Sequence, residues 1–149
     1  MLHTVLIGLK NYWDIEAVKH LLAECMYAGD ERVGEELEKY LQDDKLELLG
    51  SFVNGELAGL VGLCRSGEDI VIRHLAVKAK WQRKRLGSGM IREIVRGCGS
   101  GMLKAETDRE AVGFYQKAGF AVTSLGEKYP GVERFQCVLS LSGIPEASL

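Results

Sequence analysis

Fifteen residues constrain this chain more than any others: Leu75-Ala76-Val77-Lys78-Ala79-Lys80-Trp81-Gln82-Arg83-Lys84-Arg85-Leu86-Gly87-Ser88-Gly89. An apolar, β-rich run ends at Val77, a basic loop follows, and Gly87 and Gly89 open a helical stretch reaching Arg96. A strand feeding a loop into a helix N-terminus points several unpaired backbone N–H groups at one spot, where the helix dipole also favours an anion. Hydrogen bonds to a charged group contribute about 1.5–3 kcal/mol each, against about 0–1 kcal/mol for an exposed ion pair. The backbone is therefore expected to supply the grip on a phosphate, with Lys78, Lys80, Arg83, Lys84 and Arg85 steering the anion. An ordinary solvated basic loop before a helix is the plain alternative. Neither the dinucleotide fingerprint G-x-G-x-x-G nor the loop G-x-x-x-x-G-K-[ST] is present.

The remaining elements follow from periodicity and turn chemistry. Leu2 to Leu9 is a short apolar run that predicts a first strand, and apolar positions from Asp14 to Met26 recur on one helical face. A second, acid-rich helix is expected from Glu31 to Gln42. Asn54-Gly55 is the dipeptide best suited to a type I′ turn, so Leu46–Val53 and Glu56–Cys64 form a hairpin. Ser66-Gly67-Glu68 turns into a strand from Ile70 to Val77, and Met102 to Glu106 is the next strand. Thr107-Asp108-Arg109-Glu110 has capping-box spacing and predicts a helix to Ala118, stopped by Gly119. Phe120–Leu125 and Glu133–Leu141 complete the set around a turn at Tyr129-Pro130-Gly131. Such an order predicts a mixed α/β sheet with helices packed on it.

The 149 residues fit a single domain, and a formal net charge of −2 gives no general attraction for nucleic acid. No aromatic stacking platform accompanies the basic loop, which also argues against nucleic acid. No apolar run approaches the length of about 18–20 residues that spans a bilayer, and Met1-Leu2-His3-Thr4 lacks a basic signal region. Cys25, Cys64, Cys98 and Cys137 are too scattered for a zinc site or disulfide framework, so reduced thiols in a cytoplasmic protein without a metal are expected.

A second segment completes the pattern. Ala111-Val112-Gly113-Phe114-Tyr115-Gln116-Lys117-Ala118-Gly119-Phe120 resembles the A-x-x-F-Y-x-K-x-G-F helix of the GNAT N-acetyltransferases. Gln82-Arg83-Lys84-Arg85-Leu86-Gly87 is similar to that family's Q/R-x-x-G-x-G/A signature, preceded by its usual Leu-Ala-Val, although Arg85 stands where the first glycine belongs. If that position requires positive φ, a non-glycine residue costs about 1–2 kcal/mol. The resemblance spans residues 46–139 well and the first 45 only through element order.

The resemblance implies a mostly antiparallel sheet of about seven strands with helices on both faces. It also implies acetyl-CoA as donor, a primary amine of a small molecule or peptide as acceptor, and a monomer or homodimer. Leu75, Ala76 and Val77 would pair with the pantetheine arm, and an N–H there would polarise the thioester carbonyl. Gln82, Arg83, Lys84, Arg85, Leu86, Gly87, Ser88, Asp108 and Tyr115 would complete the cofactor site. Tyr115 would also be the catalytic acid: a thiol has pKa about 8.5 and a phenol about 10, so a positioned tyrosine protonates a departing thiolate with little mismatch. The glutamate that many relatives carry six residues before Val77 is here Val71; His74 is nearby, and Glu106, Glu127 and Glu133 are candidates to border the acceptor pocket. With no general base identified, an acyl-CoA sensor without turnover is the alternative function.

Overall fold

The computed structural model describes residues 4–26 and 29–141. β1 (Ile7–Gly8) precedes α1 (Ile15–Ala23) and α2 (Asp30–Gln42). The strands β2 (Leu46–Val53), β3 (Glu56–Ser66) and β4 (Asp69–Val77) follow, then α3 (Leu86–Arg96), β5 (Met102–Asp108) and α4 (Val112–Lys117). β6 (Ala121–Tyr129) and β7 (Val132–Ser140) end the described chain. The seven strands form one sheet in the order β1-β2-β3-β4-β5-β7-β6, antiparallel except between β4 and β5.

Local chemistry accounts for most element boundaries. The Asp14 carboxylate caps α1 by accepting from the Ala17 N–H at 3.1 Å, and Val18, Leu21 and Leu22 form its buried stripe. Asp30 and Glu31 place negative charge at the positive end of α2, which buries Val33, Leu37 and Tyr40. Asn54 and Gly55 take positive φ, 52° and 79°, as the type I′ turn between β2 and β3 requires.

Two cores lie on opposite faces of the sheet. α1 and α2 cover one with Leu22, Leu37 and Tyr40 against Leu48, Leu57 and Leu60. Met90 of α3 lies against Gly59, and Ile91, Ile94 and Tyr115 from α3 and α4 pack on Val61, Ile72 and Leu103 across the other face. The expected mixed sheet with helices on both faces is therefore what forms.

Two expectations need correction. Of the expected first strand from Leu2 to Leu9, residues 2 and 3 lie outside the described residues, and among the rest the strand is confined to Ile7–Gly8. The capping box at Thr107 does not form: Thr107 and Asp108 are the last residues of β5, and α4 starts at Val112. Thr107 is held in the ladder opposite Phe135 and is buried there, so sheet pairing overrides the local cap signal. Asp108 supplies a turn bond instead, accepting from the Ala111 N–H at 2.9 Å.

Candidate active site

The sheet is a continuous ladder except at its middle. β4 and β5 pair in parallel only at Ile70–Ile72 with Leu103–Ala105, and the C-terminal halves of both strands then part. Asp69 clamps the start of the pair, bonding the Met102 N–H at 2.9 Å and Lys104 at 3.2 Å. The far end opens as a fork. Leu75, Ala76 and Val77 form its β4 arm, paired with β3 on their other edge only.

The basic loop and the start of α3 stand at the mouth of this fork. Gln82 ties the loop to the strand by donating from Nε2 to the Val77 carbonyl at 2.9 Å. Arg83 and Arg85 are both left-handed, at φ 62° and 65°. The glycine position of the signature thus does require positive φ, and Arg85 carries that strain. No side chain caps α3; the first amide paired within it is that of Gly89, which donates to the Arg85 carbonyl at 2.9 Å. The N–H groups of Leu86, Gly87 and Ser88 precede it at the positive end of the helix, while the Ser88 hydroxyl is spent on the Arg85 carbonyl at 3.2 Å.

The five cations of the loop divide into two groups. Glu56 of β3 ion-pairs with Lys78 at 3.2 Å and Lys80 at 2.6 Å, pairs that sequence spacing does not reveal. Hydrogen bonds from Lys80 and Lys78 hold the Glu56 carboxyl below the usual range. Lys84 lies over the Trp81 ring at 5.3 Å, and Arg83 and Arg85 are exposed with no side-chain partner among the described residues. This set of free amides and outward cations fits a diphosphate.

The second motif meets the first directly. A Cβ on Gly87 would lie 3.1 Å from the Phe114 ring, so glycine there admits α4 against α3. Leu86 packs towards Gly59 of β3, which seats the helix on the sheet. Tyr115 is only 6% exposed, wedged edge-on between Phe114 and Phe120 at centroid distances of 5.1 and 5.2 Å. Its hydroxyl bonds to no described residue. Burial first, then the neighbouring Cys137 and Cys25 thiols, raises its pKa well above the ordinary phenol value, so it is protonated at neutral pH.

On the face of the sheet occupied by α1 and α2, the C-terminal half of β5 is open. A cavity of about 720 Å³ lies there, bordered by Glu106, Asp108, Lys128, Glu133 and Arg134. Of the three glutamates considered for an acceptor pocket, Glu106 and Glu133 line this cavity and Glu127 does not. Neither of the two is a ready base. Lys128 at 2.9 Å and Arg134 at 3.1 Å hold the Glu106 carboxyl below its usual range. Ser124 at 2.5 Å and Arg109 at 2.8 Å do the same for Glu133. Sequence reasoning missed Tyr40 and Gly62, whose contact with His74 across three elements leaves no local signature.

Known structures share this architecture. The aminoglycoside 6'-N-acetyltransferase complexed with coenzyme A superposes with a TM-score of 0.80 at 13% identity, covering 95% of this chain and 99% of that one. The ribosomal-protein-S18-alanine N-acetyltransferase from Escherichia coli gives 0.75 at 17% identity, over 96% and 97% of the two chains. A GNAT family acetyltransferase from Elizabethkingia anophelis with acetyl-CoA bound gives 0.72 at 18% identity, over 94% and 99%. No curated protein sequence matches the chain. The family model of the acetyltransferase (GNAT) domain matches residues 17–136, and with the fork, the uncapped helix and both motifs in place, the chain belongs to the GNAT acetyltransferase family.

Proposed function

We propose that the protein transfers an acetyl group from acetyl-CoA to a primary amine of a small molecule or peptide, within one domain. The observation that carries this reading is the fork between β4 and β5, opening beside the uncapped start of α3, with Tyr115 buried in the core under α3 and α4 and its hydroxyl bonded to no described residue. Leu86, Gly87 and Ser88 would hold the diphosphate through their amides, with Arg83, Lys84 and Arg85 around it and Gln82 bracing the loop. Leu75, Ala76 and Val77 would supply the free strand edge for the pantetheine arm. Asp108 would act from the opposite arm, where it fixes the turn into α4.

Tyr115 would give its proton to the departing thiolate. Burial raises the pKa of the phenol, and it raises that of a thiol leaving into the same apolar surroundings, so the two remain matched. A module that only binds acyl-CoA has no use for a protonated hydroxyl at this point. The test is thiol release from acetyl-CoA over a panel of amines, peptides and polyamines. Turnover with any acceptor is the expected result; tight CoA binding with no turnover across the panel would show a sensor.

A further inference from the structure

β4 carries one residue too many for its partner. Gly62 of β3 pairs with His74 and Leu63 with Ile72, which leaves Arg73 bulged between them. A one-residue insertion exchanges the faces of every side chain beyond it. Ile70 and Ile72 point into the α3/α4 core before the bulge; beyond it Leu75 packs towards that core, while Ala76 joins the α1/α2 core. His74 is thereby turned to the α1/α2 face, in the unpaired arm of the fork. The open cavity beside Glu106 is on the same face: Leu103 and Ala105 point into the α3/α4 core, so Glu106 points away from it.

The site on that face is built. Tyr40 of α2 is 0% exposed, and its Oη lies 2.5 Å from His74 Nδ1. Gly62, opposite His74, makes room for it: a Cβ there would lie 2.0 Å from the same oxygen. Among the described residues, the charged and titratable groups around the pair are Arg73, Glu36, Lys39 and Cys25. Arg73 stacks over the Tyr40 ring at 5.1 Å and ion-pairs with Glu36, which also reaches Lys39 at 3.6 Å. Cys25, after α1, lies against the Leu75 backbone and near enough to Tyr40 and Tyr115 for its charge to be felt by both.

A buried hydroxyl must donate its hydrogen. Arg73, which also bonds the Tyr40 hydroxyl, can only donate, so among the described residues the group that can accept the hydroxyl hydrogen is His74 Nδ1, and the neutral ring carries its proton on Nε2. We infer that His74 is a neutral hydrogen-bond donor in the transfer site, its Nε2–H fixed by Tyr40 and directed at the acyl oxygen as negative charge develops there. This rests on the proposed transfer reaction. A histidine locked in this tautomer has no lone pair on Nε2 and cannot be the base that deprotonates the amine. Burial, then Arg73, lowers its pKa, which keeps the ring neutral at pH 7 despite the opposing pull of Glu36.

The test reads tautomer and rate separately. Long-range ¹H–¹⁵N spectra of the intact protein at pH 7 should show one ring in the Nε2–H form, assigned by its loss in His74→Gln. In Tyr40→Phe the same ring should gain Nδ1–H population. Glutamine keeps an N–H donor but is no base, so His74→Gln should retain kcat within a few-fold, while His74→Leu should lose about 10²–10³-fold, as for one oxyanion donor. Equal large losses in Gln and Leu variants, or a wild-type ring in the Nδ1–H or doubly protonated form, would overturn the inference. A wild-type protein that releases no thiol with any amine would refute the transfer reading itself, and that result involves no variant.

Discussion

Arg85 occupies a left-handed conformation that its type disfavours by about 1–2 kcal/mol, yet it stays exposed beside the uncapped start of α3, where the proposed diphosphate would lie. Arg85→Gly removes the strain but returns about 0.5–1 kcal/mol of backbone freedom to the unfolded chain. The expected outcome is a Tm raised by no more than about 4 °C, together with a shallower salt dependence of CoA binding by calorimetry. Tyr115 is the other decisive residue. Tyr115→Phe keeps both edge-on ring contacts, so folding and CoA affinity should change little while kcat falls by roughly 10²–10⁴-fold. Loss of CoA affinity with unchanged kcat would assign the hydroxyl to cofactor positioning. The types and spacing of both residues were legible in the sequence. The backbone angle at Arg85 was not, because a loop's φ values depend on how the neighbouring elements seat it.

At the scale of elements, the sequence was most informative where a signal is short-ranged. The Asn54-Gly55 hairpin and the apolar faces of the helices both matched, because each depends on residues within one or two turns of one another. It was least informative where distant residues compete. Thr107 and Asp108 carried a helix-start pattern, but β7 recruited them into the sheet. Glu56 claims Lys78 and Lys80 from an adjacent strand, so the loop's five cations are not equivalent. Glu56→Gln should release two of them, tightening CoA binding at low salt and steepening its salt dependence. Lys78→Ala in the wild-type background should have little effect on CoA affinity. Gly87→Val should weaken CoA binding far more, since the added side chain collides with Phe114 and tilts the start of α3. Comparable losses for these last two variants would place the grip in the side chains rather than the backbone.

For the whole molecule, the buried tyrosines Tyr40 and Tyr115 set a limit on alkaline stability. Burial raises the pKa of both Tyr40 and Tyr115, so the folded protein holds protons that the unfolded chain gives up above pH about 10. Stability should be unaffected by these groups below that pH and should fall as pH rises beyond it, seen as a declining Tm. Tyr40→Phe should flatten the decline. The arrangement of the sheet carries a further consequence. With only three residue pairs joining β4 to β5, the hydrogen-bond ladder is weakest between β1–β4, under α1 and α2, and β5–β7, with α4. In the unliganded protein these two parts should open as separate units, although one core under α3 and α4 touches both. Their slow amide-exchange rates should differ, the second unit opening more often. On the proposed reading a ligand lying in the fork would bond to one unit along β4 and to the other near α4, and so would act as a missing rung. Saturating CoA should bring the two sets of exchange rates together, making the ligand the element that turns two foldons into one.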